Sequence, residues 1–411
     1  MNVLHITTVD IGGAYKAVKR IRESLIKEGI NSNILFRNII QANTHGTNFL
    51  DSPFKVILSK SKNFINLALS NRQKIIREKL GSDISKHPSV QEADIIILHW
   101  INSFISLKSL QSLFELKKPI IWVLHDMWPY TGGCHYDFYC GKFRDRCKLC
   151  PQLTTQKERD ISCRNFEDKL EVYKSGHFWV VGPSQWCVEM AQKSYLMRDK
   201  SIHYIPNCID TSVFYPRDAK KIRERLGLPK SKKIVLFGAD NAGTENPVKG
   251  FSYLLEAIKY LKNDDIMLLI FGRTALHTLQ NIEMEYRVVG YVESENEMAE
   301  IYSVADVMVT PSIQEAFGFT VCEAMACGTA VAAFGVGGIA DQVEHKKSGY
   351  LAKLYDSKDL AEGMRCCLLN SEEMGREAQN RAQLFSYEQV GKQYSELINS
   401  IFNEKKRENA K

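Results

Sequence analysis

Short apolar runs rich in β-branched residues alternate with stretches of helical period along almost the whole chain. VLHITTV, beginning at Val3, is followed by a segment from about Tyr15 to Glu28 whose apolar positions share one helical face. NSNILF, ADIIILH, PIIWVLH and HFWVVGPS come next. Continuous apolar runs suit strands buried on both faces, and the helical segments suit crossovers, so the pattern predicts a parallel sheet with covering helices. After the Pro- and Asn-punctuated stretch IPNCIDTSVFYP, which reads as a linker, a second series begins. It runs through KIVLFGA, a helix over Gly250 to Leu261, IMLLIFG, YRVVGYV, the helical SENEMAEIYSVA, DVMVTPS, a small-residue helix containing Glu323, and AVAAFG. The expected fold class is α/β, with two Rossmann-like domains at residues 1–205 and 206–385. The amphipathic SYEQVGKQYSELINSIF, within residues 386–411, is expected to return as a helix to the first. No repeat period or low-complexity tract interrupts the alternation.

Composition adds bounds. The 411 residues are 44% hydrophobic and 25% charged, an ordinary globular balance with room for two cores. No apolar run approaches the roughly 18 residues that a spanning helix needs. MNVLHITTVD shows no basic region, long apolar core or small-residue cleavage site of a secretory signal. Together with an odd number of cysteines, eleven, this leads to the expectation of a reducing cytoplasm, with the thiols serving as core residues, metal ligands or free groups. A net charge of +6 does not point to nucleic acid. Its distribution says more: between Pro53 and Leu80, Lys55, Lys60, Lys62, Arg72, Lys74, Arg77 and Lys79 stand against the single acid Glu78. Residues 53–80 either lie on an anionic membrane surface, making the protein peripheral on the inner face, or pack as a helical insertion with a solvated basic side.

The candidate chemistry concentrates at strand ends. Neither strand-to-helix turn carries G-x-G-x-x-G, which disfavours a dinucleotide cofactor. Gly12 and Gly13 in VDIGGAYKAV either let a ligand phosphate approach the backbone or make a tight turn. PSIQEAFGFTVCEAMACGTAVAAFGVGG is more specific. Phe317 and Gly318 form a turn, a helix begins near Thr320, and Gly328 stands where that helix should end. The amides of Gly318, Phe319 and Thr320 would then point outward at a helix N-terminus, which stabilises a diphosphate. Glu315 precedes the turn and Glu323 lies eight positions on; a carboxylate accepts from two hydroxyls at once, which suits a sugar or a ribose. Lys249 opens a helix, where the dipole disfavours a cation, so a functional charge is the better reading. His125 follows the buried IIWVL at a carboxyl-end crevice of the kind that binds ligands; it either positions a ligand or caps the strand.

These residues carry a resemblance. The Gly12-Gly13 turn, the His125-Asp126 pair, IPNCID, Lys249-Gly250, DVMVTPS, the Glu315 to Glu323 segment and GVGGIAD together resemble the glycosyltransferases of family 4 over nearly the whole chain. HDMWPYTGGC is most similar to the branch that builds capsule, colanic-acid-type and other surface polysaccharides. The resemblance implies the GT-B arrangement of two facing Rossmann-like domains with a cleft between them. It implies a nucleotide diphosphate sugar as donor, with Glu315 on the sugar, Glu323 on the ribose, Lys249 on the leaving diphosphate and His125 near the donor sugar and the incoming acceptor. Retaining transfer of a hexose or deoxyhexose to a lipid-linked oligosaccharide is the implied reaction, without a catalytic metal. The alternatives are a non-catalytic carbohydrate- or nucleotide-binding subunit of a polysaccharide assembly complex, a sugar-nucleotide epimerase, and a phosphorylase. The chain departs from the pattern in GADNAGTENPV, which lacks the basic residue many members place there, and at Cys208, Ala340 and Asp341. The base would be read near Gly290 to Val292.

Cys134, Cys140, Cys147 and Cys150 are separated by five, six and two residues. Four thiolates can close a tetrahedral site, and the last pair has zinc-knuckle spacing. Structural zinc is the preferred reading, with an iron–sulfur cluster or paired disulfides as alternatives.

Overall fold

All the strands that the apolar runs predict form, and each pairs in parallel with its neighbours. The structure is a computed structural model that describes all residues except 41–43, 50–74, 76–80, 156, 239–245, 262–264, 274–278, 281 and 410–411. The basic segment from Pro53 to Leu80 thus lies outside the described residues apart from Ile75, as does most of GADNAGTENPV. The chain divides into two units, Met1–Cys208 with Val390–Lys411, and Ile209–Gln389.

The first unit comprises β1 (Asn2–Val9), α1 (Gly12–Lys27), β2 (Asn31–Asn38), β3 (Thr47–Asn48), α2 (Pro88–Glu92), β4 (Ile95–Leu98), α3 (Leu107–Glu115), β5 (Ile120–Val123), α4 (Ile161–Ser175), β6 (Trp179–Gly182), α5 (Gln185–Lys193) and β7 (Ile202–Tyr204). Its sheet runs β3-β2-β1-β4-β5-β6-β7. The second comprises α6 (Ala219–Leu226), β8 (Lys233–Gly238), α7 (Phe251–Lys259), β9 (Ile266–Phe271), β10 (Tyr286–Gly290), α8 (Glu295–Ser303), β11 (Val307–Thr310), α9 (Phe319–Ala326), β12 (Ala330–Phe334), α10 (Ile339–Gln342), β13 (Gly349–Ala352), α11 (Ser357–Leu369) and α12 (Ser371–Ala382). Its sheet runs β10-β9-β8-β11-β12-β13. Both orders reverse direction once, between β1 and β4 and between β8 and β11. The last helix, α13 (Tyr387–Asn409), belongs to the first unit from Val390 onward.

The apolar runs produce these sheets because helices cover both faces. β4, β5, β6, β9, β11 and β12 are buried at every residue, and each buried Val, Leu or Ile contributes about 1.5–3 kcal/mol relative to exposure. Where the sequence pattern missed a strand, it missed β3, β7 and β13, all sheet edges too short to show a period. The helix expected from Tyr15 begins at Gly12, so the glycine pair forms its first turn rather than preceding it. IPNCID is not an exposed linker: Ile205, Asn207, Cys208 and Ile209 are buried, and Ile209 bridges to Ser386. In α13, Val390, Tyr394, Ile398 and Ile401 share one buried face, as their spacing of four, four and three requires.

Gly250 has φ +65°, and a Cβ there would stand 1.8 Å from the Pro311 carbonyl oxygen. Gly250→Ala is therefore expected to destabilise the protein by more than about 2 kcal/mol, through left-handed strain and overpacking. A Cβ on Gly13 would meet nothing within 4 Å, so Gly13→Ala should raise stability by up to about 1 kcal/mol through helix propensity. Urea denaturation of the two variants checks the contrast; equal midpoints would contradict the close approach at Gly250.

Candidate functional site

In open α/β sheets, neighbouring strands whose following segments leave toward opposite faces open a crevice at their carboxyl ends. In the second unit that point lies between β8 and β11, and the candidate residues follow these two strands. Lys249 ends the 3₁₀ turn Pro247–Lys249 before α7, and Glu315 lies in the loop after β11. The Lys249 ammonium donates to Glu315 Oε2 at 2.7 Å. Two residues distant in sequence are thus brought together, with Gly250 letting the α7 turn press against the backbone that follows β11. Ile313 N–H donates to the Val248 carbonyl at 2.8 Å, fixing the same junction.

The GVGG stretch holds the Glu315 loop from the other side. A Cβ at Gly337, φ +53°, would lie 1.9 Å from the Glu315 carbonyl oxygen, and Gly338 N–H donates to that oxygen at 3.0 Å. Gln342 donates to the Phe317 carbonyl at 2.6 Å. Gly318, φ +95°, is the N-cap of α9, so Phe319 and Thr320 open that helix; its dipole is directed at the turn containing Phe317. Gly328 takes the left-handed conformation just past the helix end, as expected. Glu323 is placed differently from the other candidates. It is wholly buried, and Oε2 accepts the Tyr302 hydroxyl at 2.9 Å. In the sequence Tyr302 shows only as a position in the apolar face of α8.

The first unit carries a row of imidazoles at its own reversal point. His5 Nδ1 is 2.8 Å from His99 Nε2, and His99 Nδ1 is 2.9 Å from His125 Nε2. His5 Nε2 is 3.0 Å from Ser32 Oγ. The rings are stacked, with centroids 5.1 Å apart at both steps. Burial holds His125 neutral, with its pKa lowered to about 4 despite the opposing Asp126 charge. Burial, with a smaller contribution from Arg22, lowers His5 to about 3; His99 falls well below the ordinary value through burial and its two neighbours. A neutral imidazole carries one N–H, so the row has only two arrangements. Either Ser32 donates inward and protons lie on Nδ1 throughout, or every Nε2 carries the proton and His125 Nδ1 becomes an acceptor. His5 and His99 were missed, although a polar residue inside VLHITTV and another ending IIIL were visible signals. Gly12 and Gly13 open α1 after β1, at the same reversal point.

Asp126 follows His125 and is buried. Burial alone would raise its pKa, but His135, the Trp128 amide and His125 outweigh that and lower it. Its Oδ2 contacts His135 Nδ1 at 2.7 Å, and Oδ1 accepts the Trp128 N–H at 2.8 Å. The loop beyond has little secondary structure of its own, and side chains satisfy its carbonyls. Buried Lys169 donates to Trp128 and Thr131, Tyr173 to Pro129 at 2.8 Å and Ser194 to Tyr130 at 2.8 Å. Cys134, Cys140, Cys147 and Cys150 all line one small cavity in this loop. The turn expected to read the base ends β10, where Tyr291 is exposed and carries the Arg273 guanidinium over its ring.

Residues 218–384 match the family described as glycosyl transferases group 1. The chain is related to that family through its second unit. It is 30% identical to N-acetyl-alpha-D-glucosaminyl L-malate synthase of Bacillus anthracis over 46% of this chain and 50% of that protein. The chain thus spans about half the length of such curated relatives. Similarity at 24% identity extends over 95% of the chain and 93% of a D-inositol 3-phosphate glycosyltransferase of Corynebacterium jeikeium. Among solved structures, the sucrose-phosphate synthase of Thermosynechococcus elongatus superposes with a TM-score of 0.68 at 18% identity, covering 98% of this chain and 99% of that one. Anabaena HepE in complex with UDP-glucose gives 0.66 at 17%, covering 97% and 100%. The two parallel-sheet domains are those of the GT-B fold.

The imidazole row makes stability depend on pH. Its histidines stay neutral in the native state below their ordinary value of 6.5, whereas the unfolded chain takes up protons there. Stability is therefore full above about pH 6.5 and declines as pH falls toward the native values, by up to about 1.4 kcal/mol per pH unit for each histidine. Urea midpoints across this range check the slope, and His99→Asn should flatten it; an unchanged slope in the variant would contradict the assignment.

Proposed function

We propose that the protein is a retaining glycosyltransferase moving a hexose or deoxyhexose from a nucleotide diphosphate sugar to a hydroxyl of a lipid-linked oligosaccharide. The observation that carries this reading is the Lys249–Glu315 pair at the reversal point of the second sheet, beside the N-terminus of α9. It lies within the segment matching the glycosyl transferases. Solved proteins of the same fold include one bound to UDP-glucose and WaaG, a glycosyltransferase of lipopolysaccharide biosynthesis. These likenesses and the HDMWPYTGGC stretch support a place in surface polysaccharide synthesis. Among the described residues no helix is long and apolar enough to cross a membrane; attachment to an anionic inner surface through residues 53–80 belongs to the same proposal.

Without donor, Lys249 and Glu315 neutralise each other. A diphosphate competes for the ammonium and a sugar hydroxyl for the carboxylate, so donor binding exchanges one ion pair for two ligand contacts. The amides of Gly318, Phe319 and Thr320 add a fixed positive field. The bond between the anomeric carbon and the diphosphate oxygen breaks, the acceptor oxygen bonds to the same face, and its proton passes to the departing oxygen. Lys249 and the helix offset the charge that grows on the leaving group. His125, neutral at pH 7, serves as a hydrogen-bonding group that orients the acceptor. No step requires a catalytic metal. Gly12 and Gly13 leave open backbone at the start of α1 for close approach, and Gly290 to Val292 read the base.

Glu323 takes the ribose only if the nucleotide uncovers its carboxylate from Tyr302. Nucleotide-sugar screening by thermal shift would identify a donor, followed by calorimetry and turnover assays. Lys249→Ala should lower kcat by about 100- to 1000-fold with little change in the urea midpoint. Glu323→Ala should weaken nucleotide binding by about 10- to 100-fold, while Tyr302→Phe should leave it intact. Unchanged affinity in Glu323→Ala would remove that residue from the donor site, and unchanged turnover in Lys249→Ala would overturn the proposed chemistry.

A further inference from the structure

We propose that Cys134, Cys140, Cys147 and Cys150 close around a single structural zinc ion that holds the loop carrying His135 against Asp126. All four thiols line the same cavity, about 10 Å³ in volume, together with Gly132, Lys142, Lys148 and Ser162. None of these four cysteines is in a disulfide. Zinc has no geometric demand beyond the tetrahedron that four sulfurs make.

The backbone supplies an independent argument. Of the seven non-glycine residues with left-handed φ among the described residues, three, Phe138, Tyr139 and Leu149, lie between Cys134 and Cys150. Such strain persists where the surroundings over-determine the chain, yet the regular structure described between these cysteines is one 3₁₀ turn, Lys142–Arg144. Asp137 accepts from the Tyr139 and Gly141 N–H groups, and Lys142 donates to the Lys148 and Leu149 carbonyls; a four-point cross-link would add to these restraints. Gly132 N–H already donates to Cys147 Sγ at 3.2 Å, the kind of bond that supports a ligating sulfur. Gly132 can approach so closely because a Cβ there would stand 2.8 Å from Cys147 Cβ and 2.4 Å from the Ser162 carbonyl oxygen. Lys142 and Lys148 line the same cavity, with the Lys142 ammonium on the Lys148 and Leu149 carbonyls and the Lys148 ammonium paired with Glu158 at 3.3 Å. Among the described residues no three His, Cys, Asp or Glu side chains converge at ligating positions, so the sulfurs must turn inward from the cavity wall as the ion binds.

The consequence reaches the imidazole row. Cys134 adjoins His135, whose carbonyl accepts the Met127 N–H at 2.9 Å and whose ring contacts Asp126 at 2.7 Å. Thr131 Oγ1 donates to the Cys134 carbonyl at 2.8 Å. The ion therefore positions the segment that follows His125, and no chemistry passes through it.

The full chain, purified without metal-affinity resin and dialysed against a chelator, should retain about one equivalent of zinc by mass spectrometry of the elements. Alkylation of the native protein should spare these four thiols until the zinc is removed by a mercurial reagent. Cys147→Ser and Cys150→Ser should lose the metal, while Cys187→Ser keeps it. Folded wild-type protein with no metal, with iron in place of zinc, or with disulfides among these cysteines by peptide mapping would overturn the proposal. None of these readouts depends on sugar transfer, so this result and that of the donor experiments fail separately.

Discussion

The constraint on which the functional arrangement depends is the single reversal of strand order in each sheet. A right-handed crossover places its helix on one face of a parallel sheet, so a chain that first winds one way and then the other must leave two adjacent strands with their exits on opposite faces. Between β1 and β4 this gap receives the start of α1, with His99 just past β4; between β8 and β11 it receives Lys249, Glu315 and the first turn of α9. The side chains are supplied by loops, but their meeting place is decided by the winding of the sheet. The same geometry explains why glycine recurs at these loops. Gly250 and Gly337 bring backbone within contact of the segment after β11, where no side chain fits.

The fold was legible because both sheets are buried on both faces. Continuous runs such as IMLLIFG and DVMVTPS leave little choice but a covered parallel strand, and the helical segments between them set the alternation. What the pattern could not show lies at the margins. β3, β7 and β13 are edge strands of a few residues, and IPNCID is punctuated like a linker yet buried, because its backbone meets Ser386 from a distant part of the chain.

The candidate site was legible unevenly. Lys249 stood out because a helix dipole repels a cation there, and Glu315 because it precedes the Phe317-Gly318 turn that opens a helix. Their pairing was invisible, since it depends on a contact between residues far apart in the chain. His5 and His99 were overlooked because a histidine inside an apolar run is usually a satisfied core residue. Only the three-dimensional register of β1, β4 and β5 aligns them with His125. Glu323 shows the opposite case. The sequence marks the position, while the structure shows a buried carboxylate already engaged by Tyr302, so the placement of that carboxylate is bound up with the packing of α8 against α9.

The imidazole row has a property that no single histidine possesses. Because each ring has one proton, and His5 and His99 each have two partners, the hydrogen bonds share an orientation, and turning one obliges the others to turn. Ser32 and His125 are thus the two poles of a polarisable line that starts on β2, passes β1 and ends beyond β4 and β5. A group that demands a donor at one pole fixes the dipole along the whole line, transmitting a preference through the sheet interior without moving net charge or backbone.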